Sequence, residues 1–266
     1  MSAADTSLSH EGRAVVVSGG LRGIGRVLTE AFIKAGARAY AFHRGHSDQA
    51  RAAEQEMRSL YPPEQLRMSR ADLVNPEDRA RVLRETADAF GRIDILINNA
   101  GVCYRDELTP ERIAEQQAIN ADAPLQFARE AAPYLRQNAH ASDETPTRGS
   151  VVGISSYVTE WEELSSEYLR HYAESKRRME RGMLTLAREL RPDNINVNVI
   201  AVGVVYAGMG MATIERKEEA LRRGELPVAK FASADAVAFE ALCLTHPRAH
   251  YKTGRIEVLD GGWNLF

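Results

Sequence analysis

The chain of 266 residues, 44% hydrophobic and 27% charged, is long enough for a full hydrophobic core and fits one α/β domain. A formal net charge of -3 gives no general electrostatic attraction to nucleic acid or an anionic membrane. Two cysteines, Cys103 and Cys243, and seven scattered histidines supply neither a disulfide framework nor a metal-ligand spacing, so a reducing cytoplasmic setting and no metal are expected.

Residues 1–11 are expected to form a frayed tail without the apolar stretch of a secretion signal, and no segment approaches the ~18 apolar residues of a membrane span. Arg13 to Val17 is a short β-branched run that ends at Ser18-Gly19-Gly20-Leu21-Arg22-Gly23-Ile24-Gly25. Val27, Leu28, Ala31, Phe32 and Ala35 then recur at helical spacing until Gly36. Strand, glycine turn and helix together provide the setting of a phosphate-binding loop. Glycines lacking Cβ let the backbone approach a pyrophosphate, and the helix N-terminus offers free N–H groups and a positive dipole. The plain alternative is a tight turn.

The second strand, Ala37 to Phe42, ends at His43-Arg44, where a site selecting NAD normally carries a carboxylate for the ribose 2′-hydroxyl. A guanidinium there can pair with a 2′-phosphate, and Arg22 can reach the same group, which favours NADP(H). Against this, Arg44 could merely open an exposed loop. A helix over Gln49 to Leu60, a strand over Leu66 to Arg70 and Asp72-Leu73 follow. Pro76 starts a helix running to Phe90, and Ile93 to Ile97 leads into Asn98-Asn99-Ala100-Gly101. Repeated strand–helix units imply a doubly wound parallel sheet with helices on both faces and ligands at the carboxyl ends of the strands.

A helical segment from Pro110 to Asn138 contains Asn120, and a polar loop runs from Asn138 to Gly149. The strand Ser150 to Ile154 ends in Ser155-Ser156. Next comes an acidic stretch, Glu160-Trp161-Glu162-Glu163, in which Trp161 either covers a bulky substrate or pins the loop. On the following helix Tyr172 and Lys176 stand four apart, which places phenol and ammonium on one face. A neighbouring ammonium favours the phenolate and would bring the tyrosine toward the working pH as a general acid or base. By chance alone such a pair is common, and a surface lysine beside a core tyrosine is the bland reading. A strand over Asn196 to Ala201, an amphipathic segment over Tyr206 to Gly224 that is either a lid or a surface helix, a helix over Ala234 to Leu244 and a strand over Arg255 to Leu259 complete the chain.

Across nearly its whole length the sequence resembles the short-chain dehydrogenases/reductases, nearest in pattern to 3-oxoacyl-carrier-protein-reductase-like ketoreductases. The motifs are SGGLRGIG at 18–25, DL at 72–73, NNAG at 98–101, Asn120, ISS at 154–156, YAESK at 172–176 and YKTGRIEVLDGGW at 251–263. The resemblance implies a single Rossmann-fold domain over 1–266 with about seven parallel strands, within which the amphipathic segment 206–224 is expected as a substrate lid. It implies a catalytic set of Asn120, Ser156, Tyr172 and Lys176. Tyr172 would protonate a carbonyl oxygen that Ser156 holds, Lys176 would hold the nicotinamide ribose, and Asn120 would anchor a relay water.

The cofactor set so implied is Ser18, Gly19, Leu21, Arg22, Gly23, Ile24, Gly25, His43, Arg44, Asp72, Leu73, Asn98, Asn99, Ala100, Gly101, Tyr172, Lys176, Gly203 and Val205. Ser156, Trp161, Tyr206 and Met209 would line the substrate pocket. The family's Pro-Gly after the sixth strand stands here as Val202-Gly203, and the threonine that often follows has no counterpart, so nicotinamide anchoring can differ. The serine-to-tyrosine interval is also about three residues long, which leaves Ser155 as an alternative to Ser156. The leading reading is an NADPH-dependent ketoreductase acting on a small or polycyclic ketone, assembled as a homotetramer or dimer. The other readings are a silent NADP(H)-binding regulator or scaffold and an NAD-dependent alcohol dehydrogenase.

Overall fold

The computed structural model describes residues 8–45, 47–106, 108–139, 146–161, 164, 166–226, 228 and 230–265. Its strands are β1 (Ala14–Ser18), β2 (Arg38–His43), β3 (Leu66–Arg70), β4 (Ile95–Asn98), β5 (Gly149–Ser156), β6 (Ile195–Val202) and β7 (Ile256–Leu259). Every pairing is parallel and the order is β3-β2-β1-β4-β5-β6-β7. All residues of β1, β4, β5 and β6 are buried, the pattern of strands covered on both faces. The strand order reverses between β1 and β4, so a crevice opens there at the carboxyl ends.

The helices are α1 (Gly23–Lys34), α2 (Asp48–Leu60), α3 (Pro76–Phe90), α4 (Pro110–Gln117), α5 (Ala123–Arg136), α6 (Glu167–Leu190), α7 (Ile214–Arg222) and α8 (Ala234–Thr245). One core layer joins Leu28 and Phe32 of α1, Met57 of α2 and Val237 and Leu244 of α8 to one sheet face. The other face packs Val82 and Leu83 of α3, Phe127 and Leu135 of α5 and Met183 and Leu186 of α6. A third cluster, including Tyr157, Val204, Ile214 and Phe231, lies beyond the strand ends. Helix boundaries follow local chemistry: in α3 Asn75 accepts from the Glu77 N–H, Pro76 begins the helix and Gly91 closes it at φ 73°.

Three sequence expectations change. The helix expected over Pro110 to Asn138 is α4 and α5 joined by a π-helical turn, Ala118–Asp122. The fourth strand starts at Ile95, because Asp94 turns its buried carboxylate to the Ala14 N–H (2.9 Å) and to Arg92 (2.7 Å). Residues 8–11 do not fray: His10 is fully buried, its N–H bonds Ala35 O at 2.7 Å, and its ring packs edge-on against Phe32. The rest of the expected tail, 1–7, lies outside the described residues, as do 140–145 of the expected polar loop and Glu162 and Glu163 of the acidic stretch.

Candidate active site

The glycine turn between β1 and α1 is held from both sides. Ser18 Oγ accepts from the N–H groups of Asn99 and Ala100, each at 3.0 Å, while Asn99 Nδ2 donates to Ser18 O and Gly19 O. Compactness here depends on glycine: a Cβ at Gly25 would stand 2.1 Å from Gly19 O. The turn borders a cleft of about 680 Å³ lined by Gly19, Leu21, Arg22, Gly23, Ile24, Gly25, His43, Arg44, Asp72, Leu73, Asn99, Ala100 and Gly101. Ser18 and Asn98 are absent from that lining. Both are buried, and Asn98 Nδ2 donates to Pro124 O, so they support the cleft rather than face it. Arg44 pairs with Glu115 at 3.0 Å and stands 3.9 Å from Asp72.

Ile24, Asn99 and Met209 also line a second cavity of about 500 Å³. Its walls include Ser155, Ser156, Trp161, Tyr172, Lys176, Gly203 and Val205, at the ends of β5 and β6 and on the face of α6. Tyr206 does not line it; this residue is 46% exposed and its ring meets Phe231. Val202 does line it, as the buried last residue of β6.

Ser156 and Tyr172 share this cavity wall and the Ser156 side chain bears on the phenol, whereas Ser155 Oγ donates to Glu180. That engagement of Ser155 favours Ser156 as the neighbour of Tyr172. Lys176 Nζ donates to Ile154 O at 2.9 Å. Asn120, on the π turn, closes a two-way pair with the Val102 backbone (2.8 Å each way) and donates to Ser175 Oγ at 3.0 Å. A mid-helix asparagine is ordinarily a liability, and the π turn is what carries this one into the interior, a use of π turns common at functional sites. Gly101 lets Asn120 and Lys176 approach, since a Cβ there would meet Asn120 Oδ1 at 3.1 Å and Lys176 Nζ at 3.3 Å.

Burial disfavours charge on both members of the pair. It lowers the Lys176 ammonium to about 8, with Glu180 opposing the shift, and it pushes the Tyr172 phenol upward. The Ser156 side chain and the Arg105 charge act against the rise at Tyr172. The expected lowering of the phenol by Lys176 is therefore not what this arrangement displays: desolvation outweighs it.

Sequence reading passed over Glu180. It continues the Tyr172–Lys176 stripe by one more turn, and its carboxylate accepts from both Ser155 and Thr159 (2.9 Å) while buried. A charged residue at the core spacing of α6 was the available signal. Also missed was Trp263, whose ring joins Tyr157 (5.4 Å) and Phe231 (6.3 Å) around the cavity that Trp161 lines. Trp161 itself meets Tyr157 edge-on at 5.1 Å, and its carbonyl accepts from Arg177, so it both walls the cavity and pins its loop.

A doubly wound parallel sheet with a glycine-lined cleft running into a Ser–Tyr–Lys set, its serine and lysine buried and its tyrosine partly exposed to the cavity, fits the architecture of a nucleotide-dependent oxidoreductase. The family described as Enoyl-(Acyl carrier protein) reductase matches residues 19–264, and the chain belongs to it, within the short-chain dehydrogenases/reductases. Among relatives, the rhamnolipids biosynthesis 3-oxoacyl-[acyl-carrier-protein] reductase of Pseudomonas aeruginosa is 29% identical over 97% of this chain and 98% of its own. The 3alpha-hydroxysteroid dehydrogenase of Mediterraneibacter gnavus is 27% identical over 94% and 96%. The solved Pseudomonas aeruginosa RhlG/NADP active-site complex superposes with a TM-score of 0.82, at 27% identity, covering 97% and 98% of the two chains.

Proposed function

We propose that the protein is an NADPH-dependent ketoreductase acting on a small-molecule ketone, with the corresponding alcohol as product. The meeting of Ser156, Tyr172 and Lys176 in the wall of a cavity continuous with the glycine-lined cleft carries this reading. The cleft fits a dinucleotide: backbone crowding at Gly25 leaves no room for a side chain, α1 presents its N-terminus, and Arg22 and Arg44 are the cations for a 2′-phosphate. The RhlG/NADP complex among the structural relatives agrees with NADP(H) over NAD(H). Arg44 would exchange Glu115 for the phosphate.

A nicotinamide held in this cleft would supply the hydride for the carbonyl carbon. Ser156 orients the carbonyl oxygen, and Tyr172 delivers the proton to it as charge develops. The raised phenol favours its protonated form, which suits the reductive direction. Lys176, titrating near the working pH, with Asn120 fixed beside it, replenishes that proton. The segment 206–224, carrying Met209 and α7 against the cavity, acts as its substrate lid.

NADPH consumption against aliphatic, acyl-thioester and polycyclic ketones, with Tyr172→Phe alongside, tests the reading. Loss of at least ~100-fold in turnover with NADPH binding retained is expected. Binding by the unaltered protein without turnover of any ketone points instead to a silent regulator or scaffold. We further propose a cytoplasmic homotetramer, or at least a dimer, with no nucleic acid or membrane partner.

A further inference from the structure

The lining of the substrate cavity combines apolar side chains with a predominantly cationic set of charged ones. Tyr157, Trp161, Leu169, Leu226 and Trp263 form the wall, while the charged residues of the lining are Arg105, Lys176, Arg216, Lys217, Arg223 and Glu225. Five cations against one carboxylate run opposite to the chain's net charge of -3. Two of the six are already neutralised, since Arg223 holds Glu225 through two nitrogens (2.6 and 3.0 Å) and reaches Glu219 as well. Lys176 belongs to the catalytic set. The remaining three, Arg105, Arg216 and Lys217, have no carboxylate within ion-pairing distance among the described residues.

These three cations line one cavity, and the charges of Arg105 and Arg216 act on Lys217. Arg105 crosses from the strand-end loop to donate to Met209 O at 3.0 Å, which brings its guanidinium under the segment that carries Arg216 and Lys217. Lys217 is half-buried, and burial together with the charges of Arg105 and Arg216 disfavours its ammonium. Like charges gathered around a cavity without counter-charge are held at a cost that an anionic ligand would relieve.

We propose that Arg105, Arg216 and Lys217 form an anion subsite, and that the substrate is an amphipathic ketone whose apolar body occupies the aromatic wall and whose far end carries a carboxylate or phosphate. This proposal rests on the ketoreductase reading for its ketone and on these cations alone for its anion. The two parts are separable by experiment. Trp161 and Trp263 are the only tryptophans of the chain, and both line the cavity, so intrinsic fluorescence reports its occupancy without any turnover.

The test titrates decanoate, decyl phosphate and decanamide, below their aggregation limits, into the wild type, Arg216→Gln/Lys217→Gln and Lys217→Arg. The anions are expected to bind roughly ten-fold tighter than the amide, with an advantage that shrinks as salt rises. The double substitution should erase the advantage and Lys217→Arg should keep it. Whichever anion binds tighter names the terminal group. An amide that binds as well as both anions, or a double variant that keeps the full advantage, would overturn the subsite. Anion binding that behaves as expected in a protein that turns over no ketone would leave the subsite standing and sink the reductase reading instead.

Discussion

At the scale of single residues, the consequential fact is that Lys176 is buried as a cation and released from that condition near pH 8. Because its folded pKa lies below the ordinary 10.5, the folded chain holds fewer protons than the unfolded one between pH 8 and 10.5. Stability due to this group therefore rises with pH across that window, and its cost is fully present below it. Lys176→Met should raise stability at pH 7 by roughly 1–3 kcal/mol while abolishing turnover, and the gain should shrink as pH passes 8. Urea melts of the two proteins at pH 7 and pH 9.5 check this, and a destabilised variant at pH 7 would contradict it. The same group predicts an alkaline limb near pH 8 in the rate of ketone reduction, read from kcat against pH. A limb unmoved in Lys176→Arg would assign it elsewhere.

Much of the site was legible at this scale. Helical spacing puts Tyr172 and Lys176 on one face but is common by chance; the ordered set of motifs is what singles them out together with Asn120 and Ser156. What spacing cannot express is competition for partners. Ser155 and Ser156 point to opposite neighbours because a strand alternates its side chains, and only the position of Glu180 reveals which serine is left for Tyr172. In the same way, Arg44 was legible as a cation, but its engagement by Glu115, 71 residues away, lies beyond any local pattern.

Elements were read more reliably in their interiors than at their joints. Strands β1 and β3 and helix α3 fall within a residue of expectation, since β-branched runs, Pro76 and Gly91 are local signals. The π turn at Ala118–Asp122 and the docked segment at His10 were not legible, because both are settled by partners far along the chain. His10 places Nδ1 3.0 Å from Leu8 O and Nε2 3.0 Å from Thr245 Oγ1, tying the chain start to the end of α8. Burial drops its imidazole to about 4. With the folded pKa below the ordinary 6.5, the unfolded chain binds more protons between pH 4 and 6.5, so stability falls as pH falls through that window, by on the order of 3 kcal/mol in total. His10→Gln should lose ~1–2 kcal/mol at pH 7.5 and show a flatter acid limb. Urea midpoints at pH 7.5 and 4.5 decide it, equal acid sensitivity in both proteins being the contrary result.

For the whole molecule, the sheet leaves β3 and β7 as edge strands, and the described surface exposes Phe239 on α8 (60%) and Leu265 after β7 (78%). Open edges and exposed apolar side chains are a liability in isolation and an asset when a second copy covers them. Multi-angle light scattering is expected to show an assembly at micromolar concentration that Phe239→Arg reduces by half. A monomeric wild type would remove the tetramer proposal altogether.

The cleft is bordered where Gly208 rests on the glycine turn so closely that a Cβ on Gly23 would meet Gly208 Cα at 2.8 Å, and its neighbours Ala207 and Met209 line the substrate cavity. A clasp of two bare backbones has no side chain to swing aside, so it opens only when the stretch carrying Gly208 moves as a body. Departure of a spent nucleotide then becomes a diffusive event of the chain itself, subject to solvent friction. Adding sucrose should slow kcat in proportion to relative viscosity while a single enzyme-bound turnover keeps its rate. A kcat indifferent to viscosity would mean that the clasp opens faster than the chemistry beneath it.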